Sequence, residues 1–479
     1  MYYRKKQSHI SRKKGRVYVY DFSNGISTTE DKKLVPLYTA TCSFNTDFKS
    51  GVLKDGFGIC VADFLPFETP KFSFEKVAPL KLYYYKKYDE KSALYVDYLL
   101  IYANDGNIYQ AILGQNNAFE IVEELHFSSV PNAVLYTYNE SNVIIFSLDN
   151  LLKVYDGEKV LTVTDAPSIS SVCIHNERLF ATEGGQMTKL WFSDDFDPLN
   201  WNVSLEDAGY IDLRGGGGSL LKVLSFNGYV YAFRKYGISR ITAFGDQTTF
   251  SVDEVTASTG KIAPNSIAVC GDRIIYLAKE GFYSFSGGTP KRVLTKLDGL
   301  LAKSDFSYAK GIFYNGDYYC ILQLKDEMQE NYFALLRYKT TTGEFSISRY
   351  LNVIDFALME GEQFFKLLFI CADNELVGEL SQNSEYFNQV LLKTWESGQS
   401  DFGIKKEKVL TKLYVSSKTP LRVIVKSEKG SRNLYYFGGI SKECLPVSLK
   451  GEYFSIYLEC ESANCNVSYL CCEYEYEGG

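Results

Sequence analysis

Apolar residues along this chain come in short runs, and where a period is visible it is two. VIIFSL (143–148), YVYAF (229–233), IIYLA (274–278) and LLFICA (367–372) each lie between Gly, Asn or Asp. Runs of this length bounded by turn residues predict strands. Stretches with a 3.6-residue period are few, and none passes about three turns. The pattern predicts an all-β protein.

The turn residues recur with the strands. SLLKVLSFNGYVYAFRKYGISRITAF (219–244) reads as strand, Asn227-Gly228 turn, strand, Gly237 turn, strand. The form returns in 264–285 with Gly271-Asp272 and Glu280-Gly281, in 306–324 with Asn315-Gly316 and a later Gly343, and in 168–185. Weaker copies occupy 78–125 with Asp105-Gly106, 132–164 with Asp149-Asn150, and 353–390 with Asp373-Asn374. Asn-Gly and related pairs signal two-residue hairpins because the central positions must accept positive φ. Each unit offers about four strands in roughly 30–60 residues, a period suited to propeller blades. A lone four-stranded sheet leaves its faces wet, whereas a ring of sheets covers them and leaves short edges. The expectation is a β-propeller of six or seven four-stranded blades over residues 71–394, with a series of two-sheet sandwiches as the alternative. Residues 395–479 alternate more cleanly (LRVIVKS, YFSIYLEC, NVSYLCCEYEY) and predict a C-terminal β-sandwich of about six strands. The Tyr–Glu alternation at 474–477 suggests a strand with one wet face. Residues 1–70 show little strand continuity and read as an extended basic N-terminal arm and wrapping segment.

Composition sharpens this picture. The 479 residues include 38 Tyr and 32 Phe but only 4 Met, 3 Trp and 3 His, a bias toward pleated, half-buried surfaces and interfaces. No apolar run approaches the ~20 residues of a membrane helix, so no membrane segment is expected. The net charge of −7 hides an asymmetry: Arg4, Lys5, Lys6, Arg12, Lys13, Lys14 and Arg16 open the chain without an acid among them. Such an arm suits an acidic neighbouring protein or subunit, and its removal is expected to leave the isolated fold nearly as stable. A signal peptide is not expected, because no apolar stretch of sufficient length follows those charges. Cys173, Cys270, Cys320 and Cys371 sit in strand-like runs as small hydrophobes. Cys460, Cys465, Cys471 and Cys472 crowd the end without a paired CxxC spacing or a nearby His, so reduced thiols are expected in place of a zinc site.

Candidate chemistry is sparse. His9, His126 and His175 are not placed beside a plausible nucleophile, and HExxH, P-loop and GxSxG patterns are missing. Gly215–Gly218 precedes a strand, not a helix, and reads as a flexible inter-blade connection in place of a phosphate cradle. The most distinctive string is KLWFSDDFDPLNWN (189–202). Asp194, Asp195 and Asp197 there could ligate calcium or act as paired glycosidase carboxylates. Ser193, Asp195 and Trp201 partly match the sialidase Asp-box, but Asp197 replaces its glycine and Trp201 falls one residue late. A structural turn anchored by Trp191 and Trp201 is the favoured reading. The chain is therefore expected not to be an enzyme, with no catalytic, cofactor-binding or metal-ligating residue and no cofactor assigned.

KLWFSDDFDPLNWN also resembles a segment recurring in β-propeller tail hub and nozzle proteins of tailed phages and prophages (tail tubular, head-completion or stabilisation proteins). YDFSNGISTTEDKKLVPLYTATCSFNTDFKSGVLKDGFG (20–58) resembles their opening, 219–287 their central blades, and KTWESGQSDFGIKKEKVLTKLYV (393–415) their linker into a terminal sandwich. The resemblance implies a structural virion protein of the tail, made in the host bacterial cytoplasm. It implies a homo-oligomeric ring, commonly six-fold, below the portal and adaptor, in contact with tail fibres or other tail proteins, with duplex DNA passing through. The acidic body suits such a channel, since a wall that repels phosphate lets DNA slide. The alternatives are a glycan-binding or glycan-cleaving propeller of the tail-spike or receptor-binding type, and a host cell-surface scaffolding propeller.

Overall fold

The computed structural model describes residues 12–28, 31–74, 77–185, 187–203, 207–256, 260–326, 328–361, 365–439 and 442–477. Seven sheets, antiparallel apart from one short parallel pairing in the last, follow one another from Pro79 to Val390, and each coincides with one of the seven hairpin units. Blade one, for instance, is Pro79–Asp89, Leu94–Ala103, Asn107–Ile112 and Glu120–His126, hydrogen-bonded in that order. The turn chemistry explains the repeat. Asn227 and Gly228 sit at φ 49° and 77°, and Asn315 and Gly316 at 49° and 86°, the conformation whose twist matches the flanking strands.

Seven sheets in a closed ring have seven gaps between them, and each gap holds one apolar cluster. Tyr83, Tyr85, Phe146 and Tyr155 fill the gap between blades one and two. Phe233, Ile274, Tyr276 and Phe285 fill that between four and five. The last gap, between blades seven and one, is filled by Met359, Leu368, Leu82 and Ile101 together with Ala62, Phe64 and Phe72 from the N-terminal segment. Rings meet edge to face across these gaps, as Tyr83 does with Phe146 at 5.3 Å and Phe233 with Tyr276 at 5.4 Å. Tyrosine hydroxyls tie neighbouring blades, Tyr83 donating to Pro131 O (2.6 Å) and Tyr318 to Ser266 O (2.8 Å). Much of the aromatic excess is thus spent inside the propeller.

The N-terminal segment contains more regular structure than its sequence suggests. Gly58–Val61 pairs antiparallel with Asn374–Ser381 and becomes the fourth strand of blade seven. The last blade is therefore built from both ends of the propeller chain. Arg12–Val19, Thr46–Asp47 and Leu53–Asp55 join one sheet of the sandwich, and Ala40–Phe44 joins the other. Lys393–Ser397 also belongs to the sandwich, so its strands begin before residue 395 and include residues of the 1–70 segment. The strand that carries the arm's described basic residues is paired into the sandwich, although their side chains stay largely exposed. Arg12–Val19 runs along Leu470–Glu477, where Arg16 contacts Glu473 (2.6 Å) and Lys14 contacts Glu475 (3.2 Å). The Glu side of the Tyr–Glu alternation receives these cations. Residues 1–11, with Arg4, Lys5, Lys6 and His9, lie outside the described residues.

One side chain sits where propeller, sandwich and N-terminal segment meet. Asn45 is fully buried at φ 59°. Its backbone N–H donates to Ile347 O (2.9 Å) and its Oδ1 accepts from Arg349 N (2.9 Å), both in blade six. Its Nδ2 donates to Leu392 O (2.8 Å), and its carbonyl accepts from Gly56 N (3.0 Å) and the Ser384 hydroxyl. Asn tolerates the left-handed conformation better than other side chains of its size, and its amide both donates and accepts. Replacing Asn45 with Ala should lower unfolding free energy by about 2–4 kcal/mol, because buried partners lose their bonds and the left-handed backbone remains. Asn45→Gly, which relieves the backbone, should recover part of that loss. Urea denaturation of the two variants checks both.

Candidate functional site

The aspartate string lies between the second and fourth strands of blade three. Its third strand, Lys189–Phe192, runs into a turn built by its own side chains. Asp194, only 8% exposed, accepts from Asp195 N and Asn200 Nδ2 (both 2.9 Å). Asp197 Oδ1 accepts from Leu199 N (3.0 Å), and Trp201 Nε1 donates to Pro198 O (3.1 Å). Trp201 is buried in the gap between blades two and three, and the half-buried Trp191 packs on Tyr210.

The carboxylates that converge are Asp194, Asp195 and Asp207, whose oxygens lie within 4.8 Å of one another. Asp207 replaces Asp197 in the trio expected from the sequence. Arg178, 4% exposed, stands beside this group. Its Nη1 donates to Ser193 O (3.0 Å) and Asp207 O (2.9 Å), and its Nη2 lies 3.4 Å from Asp195 and 4.0 Å from Asp207. The guanidinium thus supplies the positive charge that a bound cation would. Burial pushes the Asp194 carboxyl above its ordinary range.

The other candidates separate. His126 is exposed and contacts Asn107 Oδ1 (3.1 Å). His175 differs from expectation: its Nδ1 lies 2.8 Å from Ser225 Oγ, because the inner strands of blades three and four are neighbours. Among the described residues no carboxylate hydrogen-bonds the ring, although the Glu177 charge acts on it. Asn176 Nδ2 occupies the other ring nitrogen at 3.2 Å, and burial pushes the imidazole pKa down. Gly215–Gly218 connects blades three and four, but it is fastened and not free. The buried Arg234 donates to Leu213 O (2.7 Å), Gly215 O (3.4 Å) and Gly218 O (3.0 Å). A Cβ on Gly217 would stand 2.6 Å from that guanidinium, so this glycine makes room for the arginine. Of the terminal cysteines, Cys460 and Cys465 are neighbours, whereas Cys471 and Cys472 alternate along one strand and do not complete a four-thiolate set.

A feature that the sequence reading missed lies on the propeller axis. The innermost strands or entry turns of all seven blades surround a cavity of about 720 Å³. Lys81 from blade one, Lys222 from blade four and Lys310 from blade six line it. Asp355 of blade seven is fully buried beside it. It lies 3.2 Å from Lys81 Nζ and 3.1 Å from Lys310 Nζ, and also accepts from Leu82 N (2.8 Å). Lys310 Nζ further donates to Ile354 O (3.0 Å) and Leu80 O (3.3 Å), so this ammonium pins blade six to blades seven and one. Lys222 donates to a neutral carbonyl, Ile267 O (3.2 Å). Burial first, and then the Lys81 charge, lowers its pKa from 10.5 to about 8. Lysines on separate strands in separate units carry no local signal of convergence; only the ring brings them together.

No protein-family model and no curated protein matches the chain. Among solved structures, BBS1N in complex with ARL6DN is similar over 68% of this chain and 97% of its own, at 9% identity and a TM-score of 0.43. A fungal alcohol oxidase of the AA5 family, in complex with copper, is similar over 82% of this chain and 96% of its own, at 12% identity and a TM-score of 0.39. An exo-beta-1,3-galactanase from Phanerochaete chrysosporium is similar over 79% and 93% respectively, at 12% identity and a TM-score of 0.27.

Arg178 should prove the residue on which the aspartate turn depends. Arg178→Met leaves two buried carbonyls and the Asp194–Asp207 group without their cation, and should cost about 2–4 kcal/mol in urea denaturation. Asp195→Asn removes one half-exposed ion pair and should cost less than ~1 kcal/mol. Added calcium should not raise the melting temperature of the unsubstituted protein, since the guanidinium already occupies the cationic position.

Proposed function

We propose that this chain is a structural virion protein of a tailed phage, acting as one rigid subunit of a ring of the hub or nozzle type. The observation that carries this reading is where the phage-like segments fall. The opening stretch 20–58 contains Asn45 and ends on Gly58, the first residue of the strand that completes blade seven. The string 189–202 forms a self-bonded turn held by Arg178. Residues 393–415 include Lys393, which contacts Asp55 (3.4 Å) and donates to Ser462 O (2.8 Å) inside the sandwich. Each is a joint of the architecture, which suits a family whose shared feature is shape and not chemistry.

The molecule also has surface to offer neighbours. Gly430–Tyr436 is the edge strand of one sandwich sheet, and Tyr435 and Phe437 beside that edge are 62% and 76% exposed. An open edge flanked by aromatic residues invites pairing with another subunit. In such a ring duplex DNA would pass between subunits, because the propeller's own cavity is of small-molecule size. The glycan-cleaving alternative needs accessible paired carboxylates; Asp194 spends its oxygens on its own turn, while the half-exposed Asp195 and Asp207 stand beside Arg178.

Reconstruction of particles containing the protein should place it in a closed cyclic assembly around an axial channel, six-fold by resemblance. Separate peripheral copies would overturn the hub reading in favour of a receptor-binding one. The double variant Tyr435→Glu, Phe437→Glu should leave the isolated chain's melting temperature within ~2 °C of the parent, as surface changes do, and prevent incorporation into particles. Against a glycan panel, turnover abolished by Asp194→Asn, Asp195→Asn and Asp197→Asn together would favour the glycan-active alternative.

A further inference from the structure

We propose that the axial cavity of the propeller binds a small multivalent oxyanion of the phosphate class, held by the ammonium groups of Lys81, Lys222 and Lys310. The argument is one of charge. Three lysines from three blades line one cavity, and the buried acid beside it is Asp355. The remaining acid among the lining residues, Asp149, is exposed in a hairpin turn. With Asp355 the buried acid and Asp149 at the exposed rim, two of the three ammonium charges lack a buried carboxylate.

Lys222 is the least satisfied of the three. Its partner is a neutral carbonyl, its own blade brings no acid to the cavity, and Lys81 repels it. A partly desolvated cation without an acidic partner weakens the fold unless an anion joins it. A singly charged ligand would leave one charge over. A dianion or polyanion balances both, and lysine binds phosphate as a compact point charge. The cavity, at about 720 Å³, is large enough for phosphate or a short polyphosphate chain.

The pH dependence follows with its sign. The unfolded chain keeps the Lys222 proton up to 10.5, whereas the folded chain releases it at about 8. Between those values the unfolded state binds more protons, so without ligand this group's contribution to stability rises with pH across that window. Below about 8 the charged lysine is present, and there an oxyanion binds best. Lys81, Lys310 and Asp355 are the other charged groups around it, and Asp149 stands at the rim.

The test uses the full isolated chain, so it is independent of ring assembly and of the proposed function. Melting temperature and calorimetric titration are measured with inorganic phosphate and with sodium tripolyphosphate, against sodium chloride at equal ionic strength. At pH 7 at least one of the two oxyanions should raise the melting temperature by roughly 2–4 °C beyond chloride. At pH 9.5 most of that increment should disappear. Lys222→Met should melt no lower than the parent in chloride, because it removes a desolvated charge, and should bind the oxyanion at least ~10-fold more weakly. Should the Met variant fail to fold, Lys222→Gln serves the same comparison. Response to phosphate alone would assign a monophosphate-sized ligand, and response to tripolyphosphate a phosphate chain. Equal increments in chloride, an increment unchanged in the Lys222 variant, or no response to either oxyanion would overturn the proposal.

Discussion

The structure depends on one buried asparagine at the crossing of three parts of the chain. Asn45 bonds blade six through Ile347 and Arg349, the entry to the sandwich through Leu392, and the return of blade seven through Ser384. Thirteen residues after it, the same segment begins the outer strand of blade seven at Gly58. Backbone strain and burial at Asn45 are tolerable because each polar atom finds a partner. Propeller closure and sandwich attachment therefore share one joint. The close approach of chain at this point is severe: a Cβ on Gly58 would stand 2.0 Å from Glu385 O.

Aromatic packing sets the rest of the ring. A propeller blade buries its two faces against two neighbours, so each gap needs large side chains that also tolerate a polar end. Tyrosine answers both needs, filling the gap with its ring and bonding the next blade's backbone with its hydroxyl, as Tyr83, Tyr85 and Tyr318 do. The abundance of buried Tyr and Phe is thus a consequence of ring geometry, while Tyr20, Phe196, Phe244, Tyr435 and Phe437 are among the aromatic side chains left exposed.

The same geometry creates the charged axis. Inner strands converge, so side chains that would be separately solvated on seven isolated sheets share one small volume. There Lys310 and Asp355 act as mortar between blades six, seven and one, while Lys222 retains a charge without an acidic partner. At the aspartate turn the balance is reversed, with Arg178 serving as the internal counter-ion for three carboxylates. The two sites mirror each other in formal charge: one cation faces three carboxylates at the turn, and one buried carboxylate faces three ammonium groups at the axis.

The sequence by itself determined the strands, the hairpins and their grouping into units of about four strands, while ring or sandwich series, and six blades or seven, were left for the structure to decide. Strands and hairpins are written in side chains close together in the chain: a period of two, and turn pairs such as Asn227-Gly228 and Asn315-Gly316 that demand positive φ. It also carried the aspartate turn, whose donors and acceptors lie within a few residues of each other. Tertiary structure alone decided that Gly58–Val61 closes blade seven and that Arg12–Val19 lies on the terminal strand. It also placed His175 beside Ser225 and brought Lys81, Lys222 and Lys310 to one axis. These pairings join residues about 50 to several hundred positions apart, through strands too short or too polar to announce a partner. A local pattern fixes which way a side chain points from its own backbone; which distant backbone it then faces is settled by packing of the whole ring.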